Sequence, residues 1–308
     1  MNRQILAVTA AAIVCASAPA FAQNNNNVGM PWEAIRAATR GVYDGMPPAA
    51  QKTEPFKIFD NVYYVGLETI GSYLISTSDG LILMDATYAD TADLILDGVR
   101  KLGFDPAQIK YLVITHGHND HFAGGGRIKQ VTGARVALTL PDWETVEKLQ
   151  ASGTGNQGLK LPRDIVVKDG DTLALGDTTL KFHVMPGHTA GNIVTEMQAK
   201  VGTRTFRALI GVAFAPGPGL TEAALNSNAR LKQLGPWDAL LTSHSYLAPV
   251  AIPLTARQIL GGEPLPPNPT GHPAAAGSAR INAYFDQIRA AIEDRLAQEK
   301  KGQTARAQ

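Results

Sequence analysis

Seven consecutive residues, Thr115-His116-Gly117-His118-Asn119-Asp120-His121, carry four side chains able to bind a metal ion: His116, His118, Asp120 and His121. In an extended loop alternate residues face the same way, so His116 and His118 present their imidazoles together. Asp120 and His121 fall in the first turn of the helix that follows, which divides the four into two pairs and gives the start of two metal centres. A polar loop that merely contains histidines is the competing reading, and for a lone histidine it would be preferred. Clustered imidazole and carboxylate at ligand spacing argue against it here. His188, in Pro186-Gly187-His188-Thr189, and His244, in Leu241-Thr242-Ser243-His244, extend the set, each lying just after a β-rich run as the first cluster does. His183 belongs to such a run and His272 to a Pro/Gly-rich stretch, so both are read as structural.

The elements that must position these residues are short. From Phe56 the chain reads as a β-rich meander with runs at 56–59, 62–65, 72–76 and 81–84, separated by Asp60-Asn61 and Ser78-Asp79-Gly80. A helix at 91–102 leads into a buried strand at 111–115, and the histidine cluster begins where that strand ends. A helix starting near Asp120 and strands at 135–139, 165–167, 179–184, 206–210 and 239–242 complete a mixed α/β pattern. Side chains at strand ends can be aimed at a ligand without disturbing the core. Ile281, Tyr284, Phe285, Ile288 and Ile292 recur at helical spacing and predict a terminal amphipathic helix that docks on the body.

Residues 1–22 read as a cleavable signal peptide: Arg3 begins it, an apolar stretch follows, and Ala20-Phe21-Ala22 fits a cleavage site. Export to a bacterial periplasm is expected. Residues 23–52 form an extension with a short helix at 32–43, residues 53–300 the main domain, and residues 301–308 a tail expected to be disordered. The only cysteine, Cys15, lies in the signal segment, so the mature chain offers no disulfide, thiol nucleophile or thiolate ligand. Any metal is held by imidazole and carboxylate, a donor set that suits zinc. A net charge of +1 over 308 residues leaves no electrostatic footprint for nucleic acid, and no apolar run reaches the length of about 20 residues that spans a membrane. A small-molecule substrate is the expectation.

At 116–121 the chain resembles the metallo-β-lactamase superfamily, whose hallmark is H-x-H-x-D-H after a buried strand. The likeness runs from Phe56 through Leu81-Ile82-Leu83-Met84-Asp85 to the segments around His188 and His244. It implies an αβ/βα four-layer sandwich with two mixed β-sheets, with Asp85 bracing the metal loop. Within the superfamily, thioester hydrolases resembling glyoxalase II and lactonases carry a metal-bridging aspartate, usually in a Gly-Asp pair. Here Gly211-Val212-Ala213-Phe214 follows the corresponding strand, without a carboxylate.

Among β-lactamases, two subclasses need a cysteine ligand. The third resembles this chain most closely. Carried over, its pattern assigns His116, His118 and His188 to one zinc and Asp120, His121 and His244 to the other, with Asp120 also orienting a zinc-activated water. The resemblance thus implies a β-lactamase with two zinc ions, with a periplasmic lactonase or ester hydrolase as the alternative. In the resembling lactamases the connection corresponding to 150–161 overhangs the metals. It is read here as a lid in which Leu159 and Leu161 cover substrate and Lys160 meets a carboxylate.

Overall fold

The computed structural model describes residues 47–153, 158–213, 215–244 and 277–307. The signal segment, the helix expected at 32–43, Phe214 and His272 lie outside the described residues.

Seven strands form the first sheet, in spatial order β1 to β7: Phe56–Phe59, Val62–Tyr64, Tyr73–Thr77, Gly80–Met84, Ile109–Val113, Arg135–Thr139 and Ile165–Val167. The first four pair antiparallel and the last three add in parallel, so the sheet is mixed. β4 is Gly-Leu-Ile-Leu-Met, buried throughout except at its first residue. A strand reads as a continuous apolar run when both faces of its sheet are covered. Here Ile95, Leu96 and Val99 of α1 (Ala92–Lys101) and Ile128 of α3 (Gly125–Thr132) join the core cluster of the first sheet. That cluster also takes in Phe182, Ile193, Met197 and Phe206 of the second sheet.

The second sheet has the order β12-β11-β10-β9-β8, built from Ala239–Thr242, Arg204–Val212, Ile193–Val201, Thr178–Val184 and Thr172–Leu175. Only β11 and β12 run parallel. Its outer face packs Val194, Leu209 and Leu240 against α5 (Thr221–Leu234) and α6 (Ser278–Ala307), with Trp237 fully buried between them. Helix, sheet, sheet and helix therefore stack as four layers around two apolar seams, the αβ/βα sandwich.

The spacing argument for the terminal helix holds: Ile281, Tyr284, Phe285, Ile288 and Ile292 are all buried. The helix itself runs to Ala307, past the boundary at 300 where a disordered tail was expected. Lys, Gln, Arg and Ala are good helix formers and carry the helix on. The helix expected near Asp120 comes in two pieces, α2 (Asn119–Phe122) and α3. Among the described residues no helix is long and apolar enough to cross a membrane.

Candidate metal centre

All six sequence-derived ligands converge at the ends of strands. His116 and His118 follow β5, Asp120 and His121 open α2, His188 follows β9 and His244 follows β12. They form two groups, His116 with His118 and His188, and Asp120 with His121 and His244. His183, by contrast, sits within β9 and pairs its Nε2 with Glu196 at 2.9 Å, the structural role expected of it.

The second group has the dimensions of a zinc site. His121 Nε2 lies 3.2 Å from His244 Nε2, and Asp120 Oδ2 lies 3.5 and 3.6 Å from those two nitrogens. Ligands held at about 2.0–2.2 Å in a tetrahedral shell are about 3.3–3.6 Å apart. In the first group the rings of His116 and His118 each lie 4.6 Å from that of His188, set edge to face. Nε2 of His116 and Nε2 of His188 are buried without a hydrogen-bond partner. Buried polar atoms are almost always satisfied, and a metal ion would satisfy both. Imidazole and carboxylate without thiolate fit zinc, so the residues present suit two zinc ions.

The far side of each ring fixes which nitrogen is free. Asp85, directly after β4, accepts hydrogen bonds from the Thr115 backbone N–H at 2.7 Å and from Thr115 Oγ1 at 2.8 Å. Its Oδ2 also meets His121 Nδ1 at 2.9 Å. Since the Thr115 hydroxyl proton is committed to Asp85, Thr115 Oγ1 accepts from His116 Nδ1 at 3.0 Å. One buried carboxylate thereby keeps the proton on Nδ1 of two candidate ligands, directly for His121 and through Thr115 for His116, and leaves both Nε2 atoms for metal. Asp85 sits at φ 61°, a left-handed conformation that Asp tolerates better than most residues. His188 donates Nδ1–H to the Ala215 carbonyl at 2.7 Å, with the same result.

Electrostatics follow the same division. Burial, helped by the neighbouring imidazoles, depresses His116, His188 and His244, with His188 at about 4 and His244 at about 3. These rings are neutral and ready as ligands. Burial opposes charge on His121 too, but Asp120 and Asp85 outweigh it and raise that imidazole to about 10. Burial likewise works against the Asp120 carboxylate, yet His121 above all holds it far below the usual range. The second group thus attracts positive charge strongly, and an entering metal ion must displace the proton there. His118 is exposed and Asp120 and His188 are half-buried, while His116, His121 and His244 are buried. The centre is closed beneath and open on one side, as a catalytic rather than a structural site requires.

Two features were not foreseen. Asp142, in the first turn of α4 (Leu140–Ser152), is buried and accepts from Gly117 N, Thr189 Oγ1 and Gly191 N. An acidic residue early in a helix is ordinary, so only its place after a strand of the site sheet could have drawn attention to it. The lid reading also needs correction. Leu161 is buried against Leu112 and the backbone of Gly125, and the Leu159 backbone lies against Gly126, while the Leu159 side chain and Lys160 are exposed. Leu161 is therefore a core residue and does not cover substrate. Residues 154–157 lie outside the described residues.

Comparison with known proteins agrees with the geometry. Residues 66–201 match the family model of the metallo-beta-lactamase superfamily. Among solved structures, BJP-1, a subclass B3 metallo-beta-lactamase of Bradyrhizobium japonicum, is 30% identical with a TM-score of 0.66, over 81% of this chain and 96% of that one. Native FEZ-1 metallo-beta-lactamase from Legionella gormanii is 28% identical with a TM-score of 0.69, over 83% and 98%. A curated relative, the hydroxyacylglutathione hydrolase of Pseudomonas putida (strain F1), is 31% identical over 44% of this chain and 47% of its own length. The chain thus spans about half of that relative. With the fold, both ligand groups and a relative of nearly full length in agreement, this chain belongs to the metallo-β-lactamase superfamily and is a metal-dependent hydrolase.

Proposed function

We propose that the protein is a two-zinc β-lactamase. The observation that carries this reading is the second ligand group: His244 stands 3.2 Å from His121, and β11 offers no carboxylate beside them. The residue after Gly211 is the buried, apolar Val212, where a Gly-Asp pair would put a metal-bridging aspartate. The ligand set is then all imidazole apart from Asp120, the pattern of the third lactamase subclass. Similarity to subclass B3 enzymes over nearly their whole length supports the same choice.

Zinc bound here would supply Lewis acidity, bringing a water's pKa near ~7 and polarising the amide carbonyl. The chain's own residues do the rest. Asp120 is half-buried, and a carboxylate oxygen not engaged in holding metal would orient the attacking water. The water oxygen bonds to the carbonyl carbon, the ring C–N bond breaks, and the proton that the water loses ends on the departing nitrogen. Ser243 is fully buried and supplies no nucleophile, so no covalent enzyme intermediate forms there. The signal segment would place the enzyme in the periplasm.

A second reading is hydrolysis of a thioester or lactone, and the curated relatives named hydroxyacylglutathione hydrolase favour its thioester form. Comparing kcat/KM for a chromogenic cephalosporin, a hydroxyacylglutathione thioester and an acyl-homoserine lactone, each with and without chelator, separates the two. The cephalosporin should be the best substrate and its turnover should vanish with chelator. A higher kcat/KM on the thioester or lactone would overturn the proposal.

A further inference from the structure

The first ligand group is assembled from two sheets: His116 and His118 come from the loop after β5, and His188 from the loop after β9. At their base the two sheets are tied by Ile193 N donating to Thr115 O at 2.7 Å. A single buried carboxylate joins the loops themselves. Asp142 Oδ2 accepts from Gly117 N at 2.9 Å, the amide between His116 and His118, and from Thr189 Oγ1 at 2.7 Å, the residue after His188. Its Oδ1 accepts from Gly191 N at 3.1 Å. Thr139 Oγ1 donates to the Gly191 carbonyl at 2.8 Å beside it. The approach is so close that a Cβ on Gly191 would stand 2.0 Å from Thr139 Oγ1 and 3.0 Å from the Asp142 carboxylate. Asp142 is 1% exposed and is not itself a member of either ligand group.

We infer that Asp142 is a positioning residue for the three-histidine group: it ties the His116–His118 turn to the His188 turn and sets their separation before metal enters. The second group is held by other means. Asp85 fixes His121, and a backbone bridge from Ile70 to His244, with Gly71 N donating to Ser243 O at 2.8 Å, fixes the loop after β12. Asp142 makes none of these contacts. Loss of its carboxylate therefore weakens one metal group and spares the other, which a general loss of stability would not do. The inference rests on the two-zinc reading but not on the identity of the substrate.

The test uses metal-free protein titrated with zinc against a chromophoric chelator, giving two stepwise dissociation constants. Parent, Asp142→Asn, Asp142→Ala and Thr189→Val are compared, with His118→Ala and His118→Ala/Asp142→Asn to isolate the second group. Loss of a partner behind a metal ligand typically costs about 10–100-fold in affinity. That loss is expected for Asp142→Ala at one site, with a smaller one for Thr189→Val, which removes a single bond of the three. In the His118→Ala background, Asp142→Asn should leave the remaining site unchanged. Equal weakening of both sites, or unchanged constants in Asp142→Asn and Thr189→Val, would overturn the inference. If Asp142→Ala does not fold, those two milder variants decide it. A parent that binds fewer than two zinc ions would refute the two-zinc reading instead, whatever the variants do.

Discussion

Asp85→Asn is the perturbation that best separates holding the fold from preparing the ligands. Asparagine has nearly the same shape and tolerates the left-handed conformation at this position, φ 61°, so the backbone has no reason to move. What changes is one acceptor. Asp85 Oδ1 takes the Thr115 N–H, while Oδ2 takes both the Thr115 hydroxyl and His121 Nδ1–H. If the asparagine oxygen stays with the Thr115 amide, its NH2 faces His121 Nδ1 and the Thr115 hydroxyl. The opposite orientation sets two N–H groups against each other at the Thr115 amide. In the first arrangement His121 either keeps a buried N–H without an acceptor or moves its proton to Nε2, the atom that must bind metal.

An unsatisfied buried donor costs about 1–3 kcal/mol. Because the cost falls on the tautomer that binds metal, it becomes a loss of roughly 5- to 140-fold in zinc affinity at the second group. His116 is reached only through Thr115 Oγ1 and should suffer less. The assay is zinc titration of metal-free Asp85→Asn against a competing chelator, with circular dichroism to show that the fold is intact. Two sites of parental affinity in a folded variant would refute the claim that this carboxylate sets the tautomer.

His118→Ala and His244→Ala should each reduce bound zinc by about one equivalent and abolish most turnover, since one ligand is removed from each of the two groups. Metal analysis showing two equivalents in either variant would refute the grouping. Gly211→Ala should lose about 2–4 kcal/mol of stability by urea denaturation, because φ is +85° and the new Cβ would lie 2.4 Å from Thr115 Cγ2. An unchanged midpoint would show that the contact relaxes at no cost. In metal-free protein, burial lowers folded His188 to about 4 and His244 to about 3 from the ordinary 6.5. The unfolded chain then binds more protons between those values, so the stability these two rings contribute is full above about 6.5 and falls as pH drops toward 4, whereas that of the raised His121 is full below about 6.5 and is lost toward 10. A Tm that stays flat across this window would contradict the burial of those rings.

Much of this was legible because residue type and position coincided. Strands at 135–139, 165–167 and 239–242 were placed with their observed bounds, since short apolar, β-branched runs between polar turns have few other readings. β10 was missed, and Glu196 shows why. With Gln198 and Lys200 it breaks up the apolar residues of Ile193–Val201, and its carboxylate is held by His183 and Arg207 on the flanking strands at 2.9 and 2.6 Å. α5 was missed because its sequence, Thr-Glu-Ala-Ala-Leu-Asn-Ser-Asn-Ala-Arg-Leu-Lys-Gln-Leu, buries only Thr221, Ala224, Asn228 and Leu231. Too few large apolar residues mark its face. Of the described residues in the segment 150–161 only Leu161 was misread: it occupies a core site against Leu112 and Gly125, whereas Leu159 and Lys160 are exposed.

The same contrast holds within the metal centre. The six candidate ligands, which the structure brings into two groups, could be picked out because chemistry restricts metal ligands to a few residue types, and those types crowd the ends of predicted strands. Their separations could not, because each group draws on both sheets: β5 and β9 for one, the start of α2 and β12 for the other. Those separations depend on contacts distant in sequence, such as Ile193 N to Thr115 O at 2.7 Å and Tyr73 Oη to Thr242 O at 2.6 Å. Asp85 and Asp142 belong to this second kind of information. Each is an ordinary acidic residue by type, and each gains its role from partners 25 to 49 positions away. A chain that kept all six ligands but lost either carboxylate would carry the same motif and bind metal less well, so the motif alone reports the chemistry and the buried acids determine whether it can be used.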